Sequence, residues 1–142
     1  GKWTEKEKKL RDSIKQVLKC DVHQTNPLDP VELEPVDCLV TSLCLEAACK
    51  DKAAYCAALS NITSLLKPGG VLIMNGVLNE TFYMVDKYRF SRLAIDQVLL
   101  EKAFREAGYE TEWLEIFDGP DKSVNTLSDY EAAFNLPARK NK

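Results

Sequence analysis

Leu65-Leu66-Lys67-Pro68-Gly69-Gly70-Val71-Leu72 is the stretch on which the reading of the fold turns. Upstream of it, Tyr55, Ala58, Leu59, Ile62, Leu65 and Leu66 recur at helical spacing and share one face. Proline has no amide hydrogen to continue a helix and glycine readily takes the turn that follows, so Lys67-Pro68-Gly69-Gly70 is expected to stop that helix. Val71-Leu72-Ile73-Met74 is then a short, unbroken apolar run of the kind that forms a buried strand. Helix, stop and buried strand make one unit, and the rest of the chain can be read outward from it.

Toward the N-terminus, residues 36–45 form a dense apolar run whose polar members are Asp37, Thr41 and Ser42. A loop holding Pro27, Pro30 and Pro35 precedes it, and the run reads as a strand buried on both faces. Earlier still, Thr4 and Glu7 are spaced as a capping box, and Leu10, Ile14, Val17 and Leu18 line one face of an amphipathic helix. That pattern runs into Leu18-Lys19-Cys20-Asp21-Val22, which periodicity leaves as either a short strand or the helix end. Toward the C-terminus, Leu99, Leu100, Ala103, Phe104 and Ala107 place a helix over about residues 96–107, with Gly108 as its stop. A strand over residues 109–117, a turn at Asp118-Gly119-Pro120-Asp121 and a last strand near residues 131–138 complete the chain. Alternating strands and helices are α/β grammar with a mostly parallel sheet. Ligands in such sheets bind outside the carboxyl ends of the strands, which directs attention to residues 44–48, residues 75–80 and Asp21-Val22.

Composition narrows the function classes. The chain has 142 residues, 45% hydrophobic and 29% charged, which is ordinary for one globular domain. Nineteen basic and 22 acidic residues leave a net charge of −3, so nothing electrostatic points to nucleic acid or an anionic membrane. No apolar stretch approaches the ~20 residues of a membrane span. Cys20, Cys38, Cys44, Cys49 and Cys56 are odd in number and contain no C-x-x-C, so neither a zinc site nor a disulfide framework is expected, and a reducing, cytoplasmic setting fits. The sole histidine, His23, stands outside any cluster at ligand spacing, and no metal is expected. Asn61-Ile62-Thr63 and Asn79-Glu80-Thr81 match the glycosylation sequon and are read as chance matches.

The helix stop at residues 65–72, Val17-Leu18-Lys19-Cys20-Asp21-Val22, Asp37-Cys38-Leu39-Val40 through Leu43-Cys44-Leu45-Glu46-Ala47-Ala48, and Phe82-Tyr83-Met84 follow one another in a distinctive order and spacing. Together they resemble the family of nicotinamide, phenylethanolamine and thioether or indolethylamine methyltransferases, over residues 5–140. The resemblance implies the C-terminal portion of a class I, Rossmann-like, S-adenosylmethionine-dependent methyltransferase sheet with flanking helices. It also implies that residues 1–142 are the C-terminal part of one domain, because nothing here matches the family's glycine-rich cofactor loop or its ribose-binding acid. On that reading Gly1 is not a natural start, and the 142 residues alone bind S-adenosylmethionine weakly.

The resemblance assigns roles position by position. Asp21, with Val22 beside it, matches the carboxylate that accepts from the adenine amino group, the plain alternative being a solvated strand-end acid. Cys44 and Ala47 match the strand-end backbone lining the cofactor cleft, and Tyr83 matches an aromatic that packs on the substrate ring, although such a residue is often plain core. Glu46 and Glu80 follow adjacent strands and should converge on one pocket, where a buried carboxylate is costly unless paired. A cationic substrate amine is the expected partner, and both acids match the phenylethanolamine-type pattern. Gly76 stands where the nicotinamide-type pattern has an aspartate, Glu80 where it has a serine, and Arg92 where it has a small hydroxyl residue. These departures argue against nicotinamide itself, while Val17-Leu18-Lys19-Cys20-Asp21-Val22 is nearer the nicotinamide and indolethylamine branches, so the branch stays open.

The implied activity is methyl transfer from S-adenosylmethionine to a small amine or pyridine. It is an in-line displacement that requires positioning and exclusion of water and neither a covalent intermediate nor a metal. A monomer without nucleic-acid or membrane partners is the expected form. The competing readings are a non-catalytic or truncated paralogue serving as a binding module, and a nucleotide-binding oxidoreductase, for which G-x-G-x-x-G is absent.

Overall fold

The structure is a computed structural model that describes every residue except 122 and 124. Its framework is a five-stranded sheet in the order β1 (Val36–Ser42), β2 (Leu66–Leu78), β7 (Ala132–Lys140), β5 (Tyr109–Thr111), with β6 (Glu115–Asp118) also paired to β7. β1 and β2 are parallel, whereas β7 runs antiparallel to β2, β5 and β6. Four strands therefore point one way and β7 alone reverses. The segment expected as one strand over 109–117 is two short strands that pair in turn with the far and near parts of β7. Gly119 follows them at a close backbone approach: its N–H donates to Glu131 O at 2.8 Å, and a Cβ there would sit 2.7 Å from that oxygen.

Two helices build the core against this sheet. α3 (Lys52–Thr63) begins at Asp51, whose carboxylate accepts from Ala54 N–H at 2.7 Å, and it buries Tyr55, Ala58, Leu59 and Ile62. α4 (Gln97–Glu106) begins in the same way at Asp96, buries Leu100, Ala103 and Phe104, and ends at Gly108, whose φ is +89°. Their buried faces join Leu72, Met74 and Leu78 of β2 and Phe134, Leu136 and Ala138 of β7 in one core. β2 alternates between buried and half-buried positions, as a strand covered on one face does.

Several expectations need correcting. α3 stops at Thr63, earlier than Lys67-Pro68-Gly69-Gly70, and Leu66 already belongs to β2. Burying Leu66 draws the chain into the sheet, while residues 67–70 bulge out between the pairs Val36↔Leu66 and Cys38↔Val71. Proline without an N–H and Gly69 at φ +80° suit that excursion. β1 is an edge strand rather than one buried on both faces, and Val40 on it is 63% exposed. The first helix, α1 (Trp3–Ser13), is capped from Lys2 without a side-chain bond and buries nothing. It ends before Ile14, so Ile14 and Val17 lie in non-helical chain facing solvent, and residues 18–22 form neither strand nor helix. The hairpin of β3 (Phe82–Val85) and β4 (Tyr88–Ser91) was not anticipated, and it delivers the residue that completes the site.

Candidate active site

The carboxyl ends of β1 and β2 carry two acids toward each other. After Ser42 the chain turns at Leu43, whose N–H is held by Asn75 O at 3.1 Å, and enters the short helix α2 (Leu45–Ala48). Glu46 lies in that helix at 3% exposure. β2 ends at Leu78, and Asn79 turns with its N–H on Ile95 O at 2.9 Å, which leaves Glu80 at 5% exposure. The β3–β4 hairpin then folds back and places Arg92 between the two. Arg92 Nη1 donates to Glu46 Oε1 at 3.3 Å, and Arg92 Nε lies 2.7 Å from Glu80 Oε1. The second contact is one of charge alone, because the angle is wrong for a hydrogen bond and both atoms are buried without a hydrogen-bond partner. Glu80 Oε2 accepts from the Ser128 hydroxyl, and the Arg92 guanidinium lies 4.4 Å from the centre of the Tyr83 ring.

The cation that meets the two acids is therefore the chain's own Arg92, not a group left to a substrate. Burial pushes the Glu46 carboxyl above the ordinary glutamate range and the Glu80 charge adds to it, while its backbone amide and Arg92 pull it back. Two carboxylates and one guanidinium leave an excess negative charge in the cluster.

Gly76 and Tyr83 stand beside this cluster, each with an occupant of its own. A Cβ at Gly76 would lie 2.7 Å from the Phe134 ring and 3.5 Å from Glu46 Oε2. Gly76 and Phe134 are register partners across β2 and β7, so the ring fills the space the glycine leaves rather than a substrate doing so. Tyr83 stacks on its own register partner Phe90 with centroids 5.2 Å apart, and it is half-buried.

The positions assigned to the cofactor fall in three places. Val22 and Cys44 face one cavity of about 270 Å³, with Cys20, Leu39, Thr41 and Ser42 among its other walls. Partial burial there raises the Cys44 thiol above its ordinary value, with Cys20 and Glu46 adding to the effect, so the wall stays uncharged. Asp21 turns to its own loop: Oδ1 accepts from His23 N–H at 3.0 Å, and Oδ2 has the Gln24 amide at 3.4 Å. Ala47 lines a separate cleft together with Ala48, Lys50, Arg92 and Leu93. Thus the structure gathers Glu46, Glu80, Gly76 and Tyr83 at one site, joins Val22 to Cys44 at another, and leaves Asp21 and Ala47 outside both. Arg92 and Ser128 are the contributors that sequence reasoning missed as acid partners. The signal for Arg92 was available, since two buried acids demand a cation and it lies 12 residues beyond Glu80. Among the described residues no group of His, Cys, Asp and Glu could hold a metal, and no helix is long and apolar enough to cross a membrane.

Comparison with known proteins shows which family the chain resembles along its length. The profile of the NNMT/PNMT/TEMT family matches residues 1–141. Human nicotinamide N-methyltransferase is 48% identical over 139 residues, which are 98% of this chain and 52% of that protein. Rabbit indolethylamine N-methyltransferase is 44% identical over 140 residues, 99% of this chain and 52% of the relative. The chain thus spans about half the length of the relatives it matches. Among solved structures, the N-methyltransferase NodS from Bradyrhizobium japonicum in complex with S-adenosylhomocysteine superposes with a TM-score of 0.58 at 15% identity. That match covers 86% of this chain and 52% of NodS, and it is a likeness of fold.

Proposed function

The chain belongs to the NNMT/PNMT/TEMT family, and from that premise we propose that it serves methyl transfer from S-adenosylmethionine to the nitrogen of a small amine or pyridine. The observation that carries the reading is the convergence of Glu46 and Glu80, both buried, at the carboxyl ends of neighbouring parallel strands. Buried acids are costly, and a fold that keeps two of them at the ligand-binding end of its sheet puts them to use. The cavity between Val22 and Cys44 suits the cofactor's adenine because its walls are mostly apolar; Asp21, next to Val22 in the chain, takes up the amino group on releasing His23 N–H and the Gln24 amide. The methionyl and ribose sites belong, on this reading, to the part of the family's length that the chain does not span.

S-adenosylmethionine, when bound, supplies an electrophilic methyl carbon on a sulfonium. This chain's residues do the rest by position. Glu46 and Glu80 set the electrostatics around the acceptor nitrogen, and Tyr83 with Phe90 forms an aromatic flank. Glu46 Oε2, the oxygen not engaged by Arg92, is placed to take the proton an amine releases on methylation, and its raised affinity for protons favours that role. Packing at the strand ends excludes water, which would otherwise hold the nitrogen lone pair in hydrogen bonds. The setting is the cytosol, with the protein acting as a monomer. The test is to supply the full-length protein with S-adenosylmethionine labelled in its methyl group, together with nicotinamide, tryptamine and 2-phenylethylamine in separate reactions. Label recovered in an N-methyl product supports the proposal. Absence of acceptor-dependent S-adenosylhomocysteine formation in every reaction would overturn it.

A further inference from the structure

We infer that Arg92 is a resident counter-ion that determines acceptor specificity, making the Glu46–Glu80 site select acceptors that carry no positive charge. The inference rests on the methyl-transfer reading above and says which acceptors that site takes. Three observations support it. First, the guanidinium occupies the place between the two buried acids that an ammonium group would take: it lies 3.3 Å from Glu46 and 2.7 Å from Glu80, with its side chain 10% exposed. Second, Arg92 has no ready way to step aside. Its own N–H is held by Thr81 O at 2.9 Å, and the next residue, Leu93, donates to Glu46 O at 3.0 Å. The backbone on either side is thereby tied to the segments that carry the acids, and the Tyr83 ring holds the guanidinium at 4.4 Å. Third, Lys50 lines the cleft that Arg92 also lines, so a second cation stands on that side of the guanidinium.

The chemistry follows from occupancy. With the guanidinium seated between the two carboxylates, an acceptor nitrogen finds its place as a cation already taken, so the bound acceptor is the neutral form with its lone pair available. That lone pair forms the new N–C bond as the C–S bond breaks and its electrons pass to sulfur, leaving a thioether; the positive charge moves to the nitrogen, where a pyridine keeps it and an amine gives it up with a proton. The groups facing Arg92 are Glu46 from α2, Glu80 after β2 and Tyr83 from β3, and Ser128 is joined to it through Glu80. Among these, the two carboxylates are the counter-charges an ammonium group could use, and both are engaged.

The experiment measures kcat/KM for nicotinamide and for 2-phenylethylamine in the full-length protein at neutral pH. The comparison covers wild type, Arg92→Lys and Arg92→Met. Wild type is expected to favour the neutral ring nitrogen. Arg92→Lys should keep that preference, and Arg92→Met should shift the ratio toward the amine by about tenfold or more, equivalent to about 1.4 kcal/mol. Should Arg92→Met not fold, the ratio in Arg92→Lys and an inhibition measurement on wild type carry the test. A wild-type measurement stands apart from all variants: 2-phenylethyltrimethylammonium, a permanent cation, should fail to inhibit at about millimolar concentration. Inhibition in the micromolar range, or a ratio unchanged when Arg92 is replaced, would overturn the role of Arg92 while transfer itself left the functional reading standing. Absence of transfer to either acceptor by wild type would overturn both.

Discussion

The acceptor end of the site lies at the carboxyl ends of β1 and β2 and the cofactor wall runs along β1, yet one is closed and the other open. The acceptor end draws on α2, the turn after β2, the β3–β4 hairpin and Ser128, and its two acids share one cation supplied from within. The cofactor wall is made of Cys20, Val22, Thr41, Ser42 and Cys44 along an edge strand, with the exposed apolar side chains of Val36 and Val40 on the same strand. The difference shows what each kind of group needs. Buried charges persist only where partners are built in beside them, whereas an apolar wall costs little to leave open and becomes a site when something covers it.

The contrast is most directly broken by removing the built-in partner. Arg92→Met leaves two buried acids without their cation and should destabilise the chain by about 3–5 kcal/mol, the range for stripping one member from a buried pair. Urea unfolding measures it, and a loss below about 1 kcal/mol would mean the cluster is not electrostatically closed.

On the open side the effect belongs to binding rather than folding. Asp21→Ala in the full-length protein should weaken S-adenosylmethionine binding by about 1.5–3 kcal/mol if the carboxylate accepts from adenine, with the unfolding midpoint little changed. Titration calorimetry reads it, and an unchanged affinity would return Asp21 to the capping of its own loop, where it holds His23 N–H.

Packing beneath the acids gives a third test. Gly76→Ala drives a methyl into the Phe134 ring, 2.7 Å from the built Cβ position, and should cost about 1–3 kcal/mol by overpacking. Phe134→Leu in the same background should recover part of that loss. Additive losses would show that the ring does not fill the glycine's space.

The smallest expected effect is a slope. Burial raises the folded-state value of Glu46, so the folded chain binds more protons than the unfolded chain above the ordinary glutamate value of about 4.3. Its contribution is fully present below that value and is lost as pH rises through the raised one. Glu46→Gln should flatten stability across that window, and an identical pH dependence in wild type and variant would remove the cause assigned here.

Much of this molecule was legible in the sequence wherever local pattern and tertiary packing agree. α4 was expected over 96–107 and spans Gln97–Glu106, because its apolar face and Gly108 point the same way. Glu46 and Glu80 could be placed together from the rule that strand ends gather ligand groups, without knowing their partner. α1 shows the limit: the same periodicity as α4 buries nothing, since a pattern says which face is apolar and not what lies against it. The Arg92 contact depends on a hairpin that returns residue 92 to residue 46, and the filling of Gly76 by Phe134 depends on the register between β2 and β7. Neither follows from spacing along the chain.

Placement of the acceptor nitrogen at the two acids is the central claim, and steady-state kinetics of Glu46→Gln and Glu80→Gln in the full-length protein test it most directly. The account predicts that each substitution changes the acceptor KM by about tenfold or more, about 1.4 kcal/mol, while the KM for S-adenosylmethionine stays at the wild-type value. An acceptor KM that does not move, or a cofactor KM that moves instead, would contradict it.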